Sequence, residues 1–172
     1  MPSVRVLITE EQIRERLREL AAQITRDYDG QPVTLLGVLT GSLMLVADLV
    51  RQLPLRTRIG FIQASSYRGA TTRPDKLEIV PTLLPDVRDR HVLLVDDILD
   101  TGQTLNQVLD HIRSLRPRSV RVAVLLRKRG RQELPCEPDY IGFEIPDVFV
   151  VGYGLDYDDE YRQLPYVGVL EP

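Results

Sequence analysis

Residues 91–105, HVLLVDDILDTGQTL, decide the fold of this chain. They begin with a short apolar run, 92–95, which is typical of a strand buried on both faces of a parallel sheet. Two adjacent carboxylates, Asp96 and Asp97, follow this run, and apolar residues then recur at helical spacing from Leu105 to Leu115. The stretch therefore predicts a strand, an acidic turn and a helix, with the turn at the carboxyl end of a strand, where open α/β sheets bind ligands.

The turn between this strand and this helix has the chemistry of a phosphate site. Gly102 permits a backbone turn that a side chain would obstruct, and the N–H groups of 101–105 then point into one concavity at a helix N-terminus. Asp96 and Asp97 repel phosphate, so one should face ligand hydroxyls or Mg²⁺ and the other the protein. A sugar phosphate with a second phosphate group and Mg²⁺ satisfies these groups. The alternative is an acidic, solvated turn, but the third carboxylate, Asp100, favours a site.

Length and composition indicate one ordinary globular domain. The chain has 172 residues and a net charge of −3, which predicts a single domain over 1–172 without a broad nucleic-acid surface. Its single cysteine, Cys136, cannot form an internal disulfide, which is compatible with the cytoplasm. We find no signal peptide and no apolar run long enough to span a membrane. We therefore expect a cytoplasmic protein with neither a nucleic-acid nor a membrane partner.

Strands and helices alternate along the chain. A capping box at Thr9 and Gln12 predicts a helix over 10–27, and further helices follow residues 42 and 104. Strands are predicted at 33–39, 55–65, 77–80, 92–95, 120–126, 140–145, 149–152 and 167–170. This order predicts an α/β fold with a mostly parallel central sheet flanked by helices, its core at about 33–126. A small hood, from the N-terminus and about 127–170, should cover the carboxyl ends of the strands.

Three polar segments allow both a functional and a plain interpretation. The loop at 40–42 connects a strand to a helix, so it is either a second anion pocket or an ordinary turn. The long polar segment 66–76 is either a lid or a mobile hairpin tip between two antiparallel strands. The basic run 127–131 is either a solvated turn or a wall of the same crevice.

Two segments carry a resemblance to a known family. Residues 92–105, VLLVDDILDTGQTL, resemble the phosphoribosyl pyrophosphate (PRPP) motif of the type I phosphoribosyltransferases. Residues 139–162, DYIGFEIPDVFVVGYGLDYDDEYR, resemble a segment specific to the hypoxanthine-guanine branch of that family. The resemblance implies purine salvage by Mg²⁺-dependent transfer of the 5-phosphoribosyl group from PRPP to hypoxanthine or guanine. The products would be IMP or GMP and pyrophosphate, and the enzyme would be a homodimer or homotetramer.

The resemblance assigns the PRPP site to four segments. Asp96 and Asp97 would lie by the ribose hydroxyls, and Asp100 would be the general acid/base beside N7 of the purine. The 5′-phosphate loop would comprise Asp100, Thr101, Gly102, Gln103, Thr104 and Leu105. The pyrophosphate contacts would be Thr40, Gly41 and Arg162, and the lid pair would be Ser66 and Tyr67.

The resemblance also assigns the purine site. Lys128 would donate to the 6-oxo group, which selects hypoxanthine and guanine over adenine. The ring of Phe149 would stack on the base and the backbone of Val150 would read its edge. Asp156 would lie at the purine site and help Asp96 and Asp97 hold Mg²⁺. From the residues alone, the core is the favoured place for Phe149, and Arg127 or Arg129 is an alternative to Lys128. Asp156 is selected from its acidic neighbours by register only.

Some positions depart from the family pattern. Thr40 stands where a lysine commonly precedes the glycine of the pyrophosphate loop, Gln103 replaces a lysine or another polar residue, and Val148 replaces a charged residue of some members. Two other functions remain open at this point. One is a regulator that binds PRPP and RNA or DNA, which the run 127–131 would favour. The other is an enzyme of the same fold that uses xanthine or a pyrimidine.

Overall fold

The computed structural model describes residues 2–66, 77–80, 83–133 and 135–171. In chain order the elements are β1 (Ser3–Ile8), α1 (Glu10–Tyr28), β2 (Val33–Leu39), α2 (Leu43–Val50), β3 (Thr57–Ser66), β4 (Leu77–Val80), β5 (His91–Leu99), α3 (Gln103–Ser114), β6 (Ser119–Lys128), β7 (Tyr140–Ile145), β8 (Val150–Val151) and β9 (Val167–Glu171). No helix in these ranges is both long enough and apolar enough to cross a membrane.

The central sheet has six strands in the order β4-β3-β2-β5-β6-β7. Five of its strands run parallel to one another, namely β3, β2, β5, β6 and β7. The sixth, β4, pairs antiparallel with β3 at one edge. Alternate residues of β5 enter two cores, with Leu93 and Val95 on the side of α1 and α2, and Val92 and Leu94 on the side of α3. Burial on both faces explains the unbroken apolar run, and the predicted α/β fold with a mostly parallel sheet is confirmed.

The first helix begins with the predicted capping box. The backbone N–H of Gln12 donates to the Thr9 hydroxyl over 3.1 Å, and the Thr9 N–H donates to the Gln12 side chain over 2.8 Å. These bonds satisfy two of the donors that every helix N-terminus leaves without an intrahelical partner. Arg16 donates to the carbonyl oxygens of Ile141 and Gly142, and so joins α1 to β7.

A second sheet, in the order β1-β9-β8, is antiparallel and packs into the core on the side of α1 and α2. The predicted boundary between core and hood at 126 is wrong, since β6 continues to Lys128 and β7 pairs with it in the central sheet. The predicted strand at 149–152 is two residues long, and β1 was not predicted as a strand. Its partner β9 lies at the other end of the chain, so only tertiary structure pairs them.

The strand that carries the acidic pair is longer than predicted. It continues to Leu99, so Asp96 and Asp97 lie within β5 and the turn begins at Asp100. In the pairing of β5 with β6, Asp96 and Ile98 have partners and Asp97 between them has none. Both carboxylates are therefore held on a paired strand. The antiparallel pairing of β3 and β4 agrees with the predicted arm. Ser66 ends β3, and the rest of the predicted lid, including Tyr67, lies outside the described residues.

Candidate active site

A cavity of about 320 Å³ lies at the carboxyl ends of β2 and β5. It brings together most of the residues predicted for the PRPP and metal sites: Thr40, Gly41, Asp96, Asp97, Asp100, Thr101, Gly102, Thr104, Leu105, Asp156 and Arg162. Gln103 does not line it, because its side-chain amide donates to Glu133 over 2.7 Å. Four chain segments thus meet where parallel α/β sheets bind ligands.

A larger cavity, of about 810 Å³, lies between α1, α2 and the segment after β8. Three of its arginines are paired with carboxylates, Arg14 with Glu10, Arg51 with Asp48 and Arg162 with Asp156. No glycine is among its lining residues in the described part of the chain, and the N-terminus of α1 that lines it is already capped by Thr9 and carries the carboxylate of Glu10, which repels an anion. The smaller cavity is therefore the better candidate for phosphate chemistry.

The turn at the start of α3 has the geometry that phosphate binding requires. Gly102 occupies the N-cap with a φ of 90°, a conformation that residues with a Cβ seldom adopt. The backbone N–H and the side-chain amide of Asn106 both donate to the Gly102 carbonyl, over 3.0 and 2.7 Å, and so fix the turn. The first N–H groups of the helix have no intrahelical acceptor, and the helix dipole favours an anion there.

The acidic pair lies at the base of the cavity, with Asp96 buried and Asp97 half-buried. Asp96 is only 7% exposed and accepts the N–H of Asp97 over 2.9 Å, and Asp97 accepts the N–H of Ile98 over 2.7 Å. Burial raises the pKa of Asp96 well above its usual value, and the neighbouring Asp97 adds to this. Burial also raises the pKa of Asp97, against a smaller opposing effect of Arg162. A cation bound in the cavity would therefore stabilise the ionised form of both carboxyl groups.

The donor set suits Mg²⁺ only when a ligand completes it. Within the described ranges, no three metal-ligating side chains converge on one point. Asp156 pairs with Arg162 over 3.2 Å, so the predicted trio of Asp96, Asp97 and Asp156 is not a preformed metal cage. Mg²⁺ commonly binds one or two carboxylates and takes its other ligands from substrate phosphates and water. One buried and one half-buried carboxylate beside a phosphate turn fit that mode of binding.

Asp96→Asn should stabilise the metal-free protein more strongly as the pH rises. The raised pKa means that the folded state holds the Asp96 proton more tightly than the unfolded chain. Wild type therefore loses stability as the pH rises from the unfolded-chain value towards the folded one, and the variant does not. Thermal unfolding without Mg²⁺ at about pH 4 and about pH 8 measures this, and each kcal/mol corresponds to about 2–4 °C. An equal difference between the two proteins at both pH values would contradict the burial argument.

The loop after β2 lies between the acidic pair and the segment that follows β8. A Cβ on Gly41 would lie 1.8 Å from the Asp97 carboxylate, and a Cβ on Gly154 would lie 2.0 Å from the Gly41 carbonyl oxygen. Arg162 donates to the Gly154 carbonyl over 2.7 Å. The peptide bond between Leu39 and Thr40 is cis. The shape of this loop therefore depends on a close approach of the Gly154 backbone to the Gly41 backbone, and on a second approach of Gly41 to the Asp97 side chain.

Gly154→Ala should weaken PRPP binding, because its methyl group would displace the loop at Gly41. The matched control is Gly130→Ala: Gly130 also has a positive φ, but no atom lies within 4 Å of a Cβ built there. Both variants carry backbone strain of about 1–2 kcal/mol, and only Gly154→Ala adds a packing cost of about 1–3 kcal/mol. Thermal unfolding and the KM for PRPP separate the two effects. Equal behaviour of the two variants would show that the close approach does not matter.

The three consecutive cations at 127–129 differ in their partners. Arg127 pairs with Glu137 and Glu144, and Arg129 also pairs with Glu144. Lys128 is only 9% exposed, and its Nζ lies 3.6 Å from the Asp100 carboxylate and 3.7 Å from that of Asp147. Of the three cations that the sequence left open, Lys128 is therefore the one beside Asp100.

Of the residues predicted to hold a base, Asp156 lines the cavity, whereas Phe149 and Val150 are not among its lining residues. Phe149 is 52% exposed, so it is not a core residue. Its ring packs edge to face against that of Tyr157, with 5.8 Å between the ring centroids. Val150 is buried in β8, where it pairs with Val169. Asp147, two residues before Phe149, links this segment to Lys128. Asp156 lies with Arg162 on the PRPP side.

Two polar residues of this site, Arg131 and Gln132, were not predicted from the sequence. Arg131 donates from Nε to the Asp100 carboxylate over 2.9 Å, and Gln132 donates to the carbonyl oxygens of Asp100 and Lys128. The signal that could have indicated them is Gly130, whose positive φ reverses the chain directly after β6. A glycine turn after a strand end returns the next residues to the same edge of the sheet.

Comparison with known proteins gives a consistent result over nearly the whole chain. The family model of the phosphoribosyl transferase domain matches residues 8–158. The hypoxanthine-guanine phosphoribosyltransferase of Staphylococcus aureus is 41% identical over 167 residues, which cover 97% of this chain and 93% of that protein. The protein of the same name from Streptococcus pneumoniae is 42% identical over the same shares.

Solved structures agree with these relatives. The crystal structure of a hypoxanthine-guanine phosphoribosyltransferase from Bacillus anthracis superimposes with a TM-score of 0.90 at 35% identity, covering 99% of each chain. A hypoxanthine phosphoribosyltransferase from Staphylococcus aureus gives a TM-score of 0.91 at 41% identity, covering 98% of this chain and 91% of that one.

Proposed function

Because the chain belongs to the phosphoribosyltransferase family, we propose that it transfers the 5-phosphoribosyl group of PRPP to hypoxanthine or guanine in purine salvage. The products are IMP or GMP and pyrophosphate. The observation that carries this proposal is the pair of Asp100 and Lys128, which stands beside a phosphate turn at the end of β5.

The pair of Asp100 and Lys128 provides the specificity for the base. Its ammonium and carboxylate groups lie 3.6 Å apart, so a donor and an acceptor stand side by side. The edge of a 6-oxopurine offers the complement, with O6 as acceptor beside an N7–H donor. Adenine places an amino group where O6 would be, and a donor facing Lys128 is rejected. Phe149 stacks on the base from its exposed position, and the backbone of Val150 reads the far edge.

The cavity holds PRPP in this proposal. Its 5′-phosphate binds the amides of 101–105, and its ribose hydroxyls contact Asp96 and Asp97. The pyrophosphate lies on the loop at Thr40 and Gly41, beside Arg162. Since Thr40 brings no charge, Arg162 is the one cationic side chain that lines the cavity within the described ranges.

The reaction proceeds by displacement at C1 of PRPP. N9 of the base bonds to C1 as the bond from C1 to the pyrophosphate oxygen breaks, and Asp100 takes the proton that the purine ring loses. Asp96, Asp97 and Asp156 would hold Mg²⁺, which when bound would supply positive charge against the leaving pyrophosphate. The chain itself orients both substrates, and segment 66–76, with Ser66 and Tyr67, excludes water from them.

A nucleic-acid-binding regulator is the less favoured function. Its main support in the sequence was the basic run 127–131. In the structure Arg127 and Arg129 pair with glutamates, and Arg131 pairs with Asp100. These pairs leave little free positive charge for a phosphate backbone.

A spectrophotometric assay with PRPP and Mg²⁺ tests the proposal, with each free base offered in turn. We expect turnover of hypoxanthine and guanine, none of adenine or uracil, and loss of activity with a chelator. Xanthine is included as a third oxopurine. Absence of purine turnover, together with an RNA or DNA gel shift at physiological salt, would establish the regulator instead.

We further propose that the protein is a single domain over 1–172 that works in the cytoplasm as a homodimer or homotetramer. Light scattering of the purified protein gives the assembly. A monomeric mass at assay concentration would exclude the oligomer without affecting the proposed reaction.

A further inference from the structure

We infer that Arg131 is a positioning residue for Asp100, an inference that rests on the proposed function. Arg131 Nε lies 2.9 Å from Asp100 Oδ1, and Lys128 Nζ lies 3.6 Å from Asp100 Oδ2. The two carboxylate oxygens therefore have different partners. Arg131 holds one of them so that the other faces the purine N7.

The turn that carries Arg131 is bonded to the phosphate turn at several points. The Gln132 side chain donates to the carbonyl oxygens of Lys128 and Asp100, over 2.7 and 3.1 Å. The Glu133 N–H donates to the Thr101 carbonyl over 2.9 Å. These bonds fix the backbone on either side of the contact. The position of the Arg131 guanidinium opposite Asp100 is therefore a property of the fold.

The charges around Asp100 explain why a second cation is needed. Lys128 lies between Asp100 and Asp147, and Arg131 also lies 3.8 Å from Asp147. When Lys128 donates to the 6-oxo group of a base, its ammonium group interacts with both the base and Asp100, and the ion pair with Asp100 is weakened. Without Arg131 the carboxylate would be free to follow Lys128 or to rotate into solvent. With Arg131 in place, Asp100 keeps its orientation while the base binds.

A positioning role predicts a loss of rate without a loss of fold. Arg131 and Asp100 are both partly exposed, and an ion pair of that kind contributes little to stability. A misplaced catalytic group, however, costs up to about 100-fold in rate. We therefore expect Arg131→Ala to lower kcat about 10–100-fold, to leave the KM for PRPP within about twofold, and to unfold within about 2 °C of wild type.

The experiment compares Arg131→Ala, Arg131→Lys and Arg129→Ala in the full-length protein. Arg129 lies in the same turn and pairs with Glu144 instead of Asp100, so its variant is the matched control. We expect Arg131→Lys to recover part of the rate, and millimolar guanidinium to raise the rate of Arg131→Ala but not that of Arg129→Ala.

Two results would overturn the positioning role. One is a kcat for Arg131→Ala equal to that of wild type. The other is a loss of rate that neither lysine nor guanidinium restores and that accompanies a loss of thermal stability. Wild-type turnover of hypoxanthine is measured first, so failure of the proposed function would be seen separately, before any variant is compared.

Discussion

Replacing Asp100 with asparagine should lower kcat by about 10²–10⁴-fold, the range in which general acid–base groups contribute. The amide keeps the shape of the carboxylate and an oxygen that can accept from Arg131, so the turn should remain intact. It cannot take a proton from the purine ring. The KM for PRPP should change little, because the phosphate contacts come from backbone amides of 101–105.

Steady-state kinetics with hypoxanthine and PRPP measure this effect. Asp110→Asn is the control, since the Asp110 side chain is exposed on α3 and its carboxylate lies 3.9 Å from Arg113 on the same helix. The control should behave as wild type. If Asp100→Asn also turned over at the wild-type rate, Asp100 would not be the acid/base, whatever the identity of the product.

Replacing Lys128 with glutamine should raise the KM for hypoxanthine and guanine by about 10–150-fold. A hydrogen bond to a charged group contributes about 1.5–3 kcal/mol, which corresponds to that range. Lys128 is nearly buried between Asp100 and Asp147, so its loss removes a cation that both the ligand and the two carboxylates use. The preference for hypoxanthine over adenine should fall with it, because the amide of glutamine can accept as well as donate.

Arg129→Gln provides the comparison for Lys128→Gln. Both changes remove one positive charge from the end of β6, but Arg129 is more exposed and pairs with Glu144. A change in base affinity that appears in both variants would reflect net charge. A change confined to Lys128→Gln would reflect the contact with the 6-oxo group, and an unchanged KM in that variant would remove Lys128 from the purine site.

Local sequence predicted the strand, the phosphate turn and the acidic pair because their signals lie within 15 neighbouring residues. The apolar run indicates a strand that is buried on both faces, and Gly102 indicates a turn. The end of β5 was placed too early, since carboxylates seldom occur inside a buried strand. Tertiary pairing with β6 keeps Asp96 and Asp97 extended, and composition does not reveal that pairing.

The rest of the site depends on contacts between distant segments. Which cation of the basic run faces Asp100 depends on Glu137 and Glu144, which hold Arg127 and Arg129 outside. An apolar run does not reveal which of its members is exposed, and so the residues alone favoured the core for Phe149, which is 52% exposed. The approach of Gly154 to Gly41 joins residues more than 100 positions apart. Each of these features is a property of packing.

A crystal structure of the complex with GMP tests the central claim most directly. The account predicts the 5′-phosphate against the amides of 101–105, guanine O6 within hydrogen-bond distance of Lys128, and N7 within reach of Asp100. A phosphate bound at any other place, or a guanine away from Lys128, would contradict it.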